Sequence, residues 1–197
     1  AGCGSTPKDI RYYQVVAPEQ VAAQGELVIG VEPFYADGPY ADQRMVYRES
    51  EYRVDYYYYH RWSAPPALLV SEYLRTSLQS SGKFKTVLSG FTADAVAMVG
   101  GRIIAFEEID ASDNWRAHVV LDLYLRDTQS GELVWSKKVK EEEVAEERNP
   151  EGIAKAMSIA LGRLTERVAP EIREAAAGVE RTRVDTSAPA ASESEDE

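Results

Sequence analysis

The chain has 197 residues, 44% of them hydrophobic, which is enough for one packed domain and short for two. Its formal net charge of -11 argues against nucleic acid or an anionic lipid surface as a partner, because both need clustered Lys and Arg. No stretch approaches the roughly 20 apolar residues that span a bilayer, so any membrane link must be covalent.

The one cysteine, Cys3, stands in Ala1-Gly2-Cys3-Gly4. Small residues ahead of a cysteine fit a lipobox, where the cysteine becomes the acylated start of an exported protein; the bland alternative is a chance thiol. Cys3 is therefore the expected lipidation site, and more than one acyl chain would hold it firmly. A lone cysteine forms no internal disulfide. Residues 1–11 read as a tether and 12–178 as a single domain. Residues 179–197, rich in Ala, Ser, Pro, Asp and Glu, read as a disordered acidic tail that cannot bury enough apolar surface to order itself.

The first strand is expected over Glu26 to Glu32, ended by Pro33, which cannot donate to a ladder. The stretch from Phe34 to Asp42 reads as a loop. Arg44 to Glu49 and Tyr52 to Trp62 are rich in aromatic and β-branched residues and should pair as a hairpin. Pro65 and Pro66 suit a first helical turn, with Ser63 or Ala64 as the cap and Gly82 as the stop. Leu69, Tyr73 and Thr76, beside Val70, Leu74 and Leu78, make its apolar stripe. Phe84 to Leu88 should be a short strand, and Ala97 to Asp110 a long one with a possible bulge at Gly100-Gly101. Val119, Leu121, Leu123 and Leu125 share one face of a strand that turns at Thr128 to Gly131 and returns over Glu132 to Val139. Asn149-Pro150-Glu151 opens a second helix, whose stripe is Ile153, Met157, Leu161, Leu164, Val168 and Ile172. Pro170 is a candidate kink and Gly178 the expected stop. Strands with antiparallel pairing and two helices gathered on one face make an α+β sandwich.

Catalytic chemistry finds little support. Two histidines and a committed cysteine cannot assemble the usual zinc sets, and no phosphate loop or nucleophile elbow occurs. Ser80 to Lys83 fits S-x-x-K and Ser112-Asp113-Asn114 fits S-D-N, but K-T-G is missing and Ser80 falls at a helix end. Glu141, Glu142, Glu143, Glu146 and Glu147 fit a solvated edge better than a cation site. In Tyr56-Tyr57-Tyr58-Tyr59 successive rings must face opposite sides, so one pair should enter the core and the other meet solvent or a partner.

Together these residues carry a family resemblance. Cys3, Arg11-Tyr12-Tyr13, Val31-Glu32-Pro33, Met45-Val46-Tyr47-Arg48, Tyr59-His60-Arg61-Trp62-Ser63-Ala64-Pro65, Ile104-Ala105-Phe106-Glu107 and the hairpin from Arg126-Asp127 to Glu132-Leu133-Val134 resemble the ABC-type transport auxiliary lipoproteins. The resemblance implies a non-enzymatic accessory lipoprotein of an MCE-type lipid transport system. It would be anchored through lipid on Cys3 at the periplasmic face of the outer membrane and need no cofactor. Its partners would be an MCE-domain protein, the ABC permease complex and copies of itself in a ring. Tyr57, Tyr59, Arg61 and Trp62 are the expected partner-binding residues. Rival readings are a lipoprotein that regulates cell-wall synthesis enzymes, and a carrier that holds a lipid in its own core.

Overall fold

The computed structural model describes residues 9–19, 22–110 and 114–187, in which nine strands form one sheet and two α-helices cover it. The strands are β1 (Arg11–Tyr13), β2 (Val28–Val31), β3 (Tyr35–Ala36), β4 (Arg44–Ser50), β5 (Arg53–Trp62), β6 (Thr86–Ser89), β7 (Ala97–Asp110), β8 (Trp115–Asp127) and β9 (Leu133–Val144). The helices are α1 (Pro66–Ser80) and α2 (Pro150–Ser187).

β7 organises the sheet. One edge pairs antiparallel with β8 along its whole length, and β8 pairs antiparallel with β9. The other edge is shared by three short parallel neighbours: β2 at Ala97 to Val99, β3 at Arg102 and Ile103, and β4 at Glu108 and Ile109. β6 extends one wing beyond β2, while β5 and then β1 extend the other beyond β4. The expected α+β architecture holds, but the sheet is mixed rather than antiparallel. β2, β3 and β4 lie along that edge in chain order, and the one connection through β5, α1 and β6 back to β7 is the crossover that makes all three pairs parallel.

Alternation in β8 builds the core. Ala117, Val119, Leu121, Leu123 and Leu125 are all buried, and α2 meets them with Ile153, Met157, Leu161, Leu164, Val168 and Ile172, the stripe expected from the sequence. Each such side chain contributes about 1.5–3 kcal/mol on burial. α1 adds Val70, Tyr73, Leu74 and Leu78.

Several expectations shift. Pro65, not Ser63 or Ala64, caps α1, and no side chain bonds there. The expected loop after Phe34 holds β3 and a short 3-10 turn, Gly38–Tyr40. The irregularity in β7 lies between Ile103 and Ala105, not at the glycine pair. Gly100 and Gly101 serve close packing instead: a Cβ on Gly100 would stand 2.3 Å from Glu32 Oε1, and one on Gly101 2.7 Å from the Phe34 ring. α2 runs through Pro170 and past Gly178 to Ser187. Buried Val168, Ala169, Ile172, Ala176 and Val179 flank both residues, and their packing offsets the roughly 3 kcal/mol that an interior proline costs. Arg183 ties the extension down by bonding the Val96 carbonyl and Asp127. The helix therefore runs past residue 178, where the tail was expected to begin; residues 188–197 of that expected tail lie outside the described residues.

Candidate partner-binding surface

The tyrosine run departs from simple alternation because the β4–β5 ladder slips. Pairing moves from Val46↔Tyr56 to Arg44↔Arg61, so β5 carries three more residues than β4 across this interval. Tyr57 to His60 fill the excess and bulge from the ladder. Tyr56 and Tyr57 are half-buried, whereas Tyr58 is 83% exposed, Tyr59 is 40% exposed, and Tyr52 at the hairpin tip is 95% exposed. Two adjacent tyrosines, not two alternate ones, therefore face solvent.

Below the bulge, Tyr57 reaches inward. Its hydroxyl donates to the Glu108 carboxylate at 3.0–3.1 Å, and its ring packs on Tyr47 at 5.0 Å and edge-on to His60 at 5.5 Å. The Tyr13 hydroxyl lies 2.8 Å from His60 Nδ1, which joins β1 to the same cluster. Burial, then the nearby Arg11 charge, lowers the His60 pKa. Glu108 is only 1% exposed. Burial pushes its carboxyl up, the Tyr57 bond pulls it back, Asp110 adds repulsion, and the result is about 7.

The adjacent Glu107 points to the other face, as its pairing with His118 requires. It is 2% exposed. It accepts from the Tyr40 hydroxyl at 2.6 Å and from Arg48 Nε and Nη2 at 2.8 and 3.0 Å, and it lies 3.3 Å from His118 Nδ1. Burial alone would raise this carboxyl, but the bonds from His118, Arg48 and Tyr40 outweigh it and hold the pKa at about 2. The same cluster raises the pKa of Tyr40, chiefly through burial and then through Glu107.

Of the expected partner-binding residues, Tyr59 is at the surface and Tyr57 is half-buried beneath it. Arg61 is half-buried, and its Nε has no hydrogen bond among the described residues. Trp62 is a correction: it is 1% exposed and packs on Phe106 at 5.0 Å, so it is a core residue that no partner can touch. Cys3, Ser112 and Asp113 lie outside the described residues. Ser80 closes α1 with its hydroxyl 3.3 Å from the Pro18 carbonyl, in an ordinary structural bond. The expected acidic edge is largely paired: Glu141 with Arg167, Glu143 with Arg163, and Glu142 with Lys140 and Arg116. Among the described residues no cluster of His, Cys, Asp and Glu could hold a metal ion, and no helix is long and apolar enough to cross a membrane.

Sequence reasoning missed the Glu107–Glu108 pair. A signal was available, since two consecutive carboxylates inside a long apolar strand must put one on each face. The partners Tyr40, Arg48 and Tyr57 come from other strands and loops, which no local pattern reveals.

Comparison with known proteins places this architecture. A crystal structure of protein XCC0632 from Xanthomonas campestris superposes with a TM-score of 0.72 at 16% identity, covering 87% of this chain and 99% of that one. A second crystal structure, of an uncharacterized protein, gives 0.68 at 15% identity over 83% of this chain and 99% of that one. At such identities the likeness speaks for the fold alone. No curated protein matches the sequence. The family model for the ABC-type transport auxiliary lipoprotein component matches residues 13–169, most of the chain, and the protein therefore belongs to the ABC-type transport auxiliary lipoprotein family.

Proposed function

We propose that this lipoprotein is a non-enzymatic docking subunit of an MCE-type lipid transport system, held at the periplasmic face of the outer membrane by lipid on Cys3. Family membership supports the transport half of this reading, since an auxiliary component acts through the transporter it serves. The docking half is carried by one observation: the β4–β5 hairpin, with its bulged strand, presents Tyr52, Tyr58 and Tyr59 to solvent. Tyrosine suits a protein interface because it buries a large area at low entropic cost while its hydroxyl keeps a partner. The partners on this reading are an MCE-domain protein and its ABC permease complex, with self-association into a ring as a further contact.

The test is photocrosslinking of the full lipidated chain in membranes, with the reactive group at Tyr52, Tyr58 or Tyr59 and mass spectrometry of the captured product. Capture of an MCE-domain protein or permease subunit is the expected result. Capture of a cell-wall synthase instead, or of nothing at all three positions, overturns the reading.

A further inference from the structure

Residues 14–19 belong to no helix or strand and lie along the cleft between α1 and α2. Two bonds pin this segment, Val16 N–H donating to Ser158 Oγ at 3.0 Å and Ser80 Oγ to the Pro18 carbonyl at 3.3 Å, and just before it Ser63 N–H donates to the Tyr13 carbonyl at 2.6 Å. Fixed in this way, it forms one wall of two adjoining grooves of about 630 and 530 Å³, which share Val16, Ser158 and Ile159. Together they follow α2 from Gly152 to Glu166, a run of roughly 20 Å at the helical rise.

The floor of this trough is apolar and open. Tyr12 is 58% exposed, Val16 65%, Val144 49% and Ile159 44%. These side chains lie together in one depression rather than scattered singly, the arrangement that marks interaction sites. Its rim is acidic. Glu19, Glu146, Glu147, Glu151 and Glu166 line it against only Lys155 and Arg163. Arg163 is occupied by Glu143, and Lys155 lies 3.7 Å from Glu151, so neither offsets the remaining carboxylates.

The geometry points to this trough as the docking site for an amphipathic helical segment of a partner protein, with an apolar stripe flanked by Lys or Arg. Charge selects that occupant. A second copy of this chain would bring the same acidic rim and be repelled, and so would an anionic lipid headgroup. An acyl chain would fill the floor and leave the carboxylates unanswered. A basic amphipathic helix answers both, in the helix-in-groove mode of recognition. The trough shares no residue with the exposed tyrosines of the β4–β5 hairpin, so its test is independent of the lipid-transport reading.

The experiment uses the full chain and two fluorescein-labelled peptides of about 14 residues, long enough to span the trough. Both carry the same leucine stripe, flanked by Lys in one and by Glu in the other. The Lys peptide is expected to bind and to weaken at about 0.5 M salt, where surface charges are screened. It should also bind about tenfold more weakly to Ile159→Asp and to Val16→Asp, as expected for central anchor positions. Val16→Asp lies at an exposed position outside the helices and strands, so a folding defect in Ile159→Asp does not remove the test. Equal binding of the Lys and Glu peptides overturns the proposal, as does unchanged affinity in both variants. Two further results overturn it: concentration-dependent dimerisation of wild type that Ile159→Asp abolishes, which assigns the trough to a second copy, and blockage of peptide binding by lipidation that Cys3→Ser relieves, which assigns it to the acyl chain.

Discussion

Glu107 and Glu108 are consecutive residues on one strand, equally buried, with opposite charge behaviour. On the outer face Glu107 meets a guanidinium, a phenol and an imidazole, and its carboxylate is held ionised. On the face that carries α2, Glu108 meets one phenol and the like charge of Asp110, and its carboxyl favours the neutral form. Burial is common to both, so the number and charge of the partners decide the outcome. The two therefore contribute oppositely to pH dependence. Glu107, depressed from its ordinary value of 4.5 to about 2, stabilises the fold above about pH 4.5, and that contribution is lost as pH falls through about 2. Glu108, raised from 4.5 to about 7, stabilises the fold below about pH 4.5, and its contribution is lost as pH rises through about 7.

The largest effect expected from this contrast is at Glu107. Glu107→Ala leaves Arg48 and Tyr40 facing each other without their shared acceptor, and removing one partner of a buried ion pair costs about 3–5 kcal/mol. Urea unfolding near neutral pH would read this as a large drop in midpoint. A loss under about 1 kcal/mol would mean that the outer-face cluster is strongly solvated and the comparison fails.

Glu108→Gln should act in the other direction. At about pH 8 wild type holds a buried carboxylate with one phenol for company, and the neutral amide should stabilise by about 1–3 kcal/mol. The gain should vanish by about pH 4.5, where both forms are uncharged. Unfolding curves at a series of pH values would show the two stabilities converging as pH falls. A constant difference would mean that Glu108 is ionised throughout and that the faces do not differ.

The two halves of the molecule were unequally legible in the sequence. β8, β9, α1 and α2 follow from periodicity and turn chemistry, and the α2 stripe from Ile153 to Ile172 is buried throughout because a long amphipathic helix is specified locally. The parallel returns of β2, β3 and β4 to β7 were not legible, since register between distant segments depends on the assembled sheet. Pro170 and Gly178 misled for a related reason: they are local stop signals, overridden by packing that only the tertiary structure supplies. At the candidate surface the tyrosine run was visible, but alternation paired Tyr59 with the half-buried Tyr57 in place of the exposed Tyr58. The ladder slip beside Tyr57 exposes Tyr58 and Tyr59 together, and the same approach to the core that makes Trp62 conspicuous in sequence seals it against Phe106.

The smallest expected effect sharpens the contrast at its surface end. Tyr58 lies next to Tyr57 in sequence but is 83% exposed, while Tyr57 is committed to Glu108. Tyr58→Ala should change stability by less than about 0.5 kcal/mol, because the substitution leaves no cavity and no orphaned partner. Capture of a partner by a photoreactive group at Tyr52 should nevertheless fall in that variant, because an interface anchor acts through area buried only in the complex. Measuring unfolding and capture on the same preparation separates the two. A stability loss above about 1 kcal/mol would make Tyr58 part of the fold, and unchanged capture would move the partner away from the hairpin.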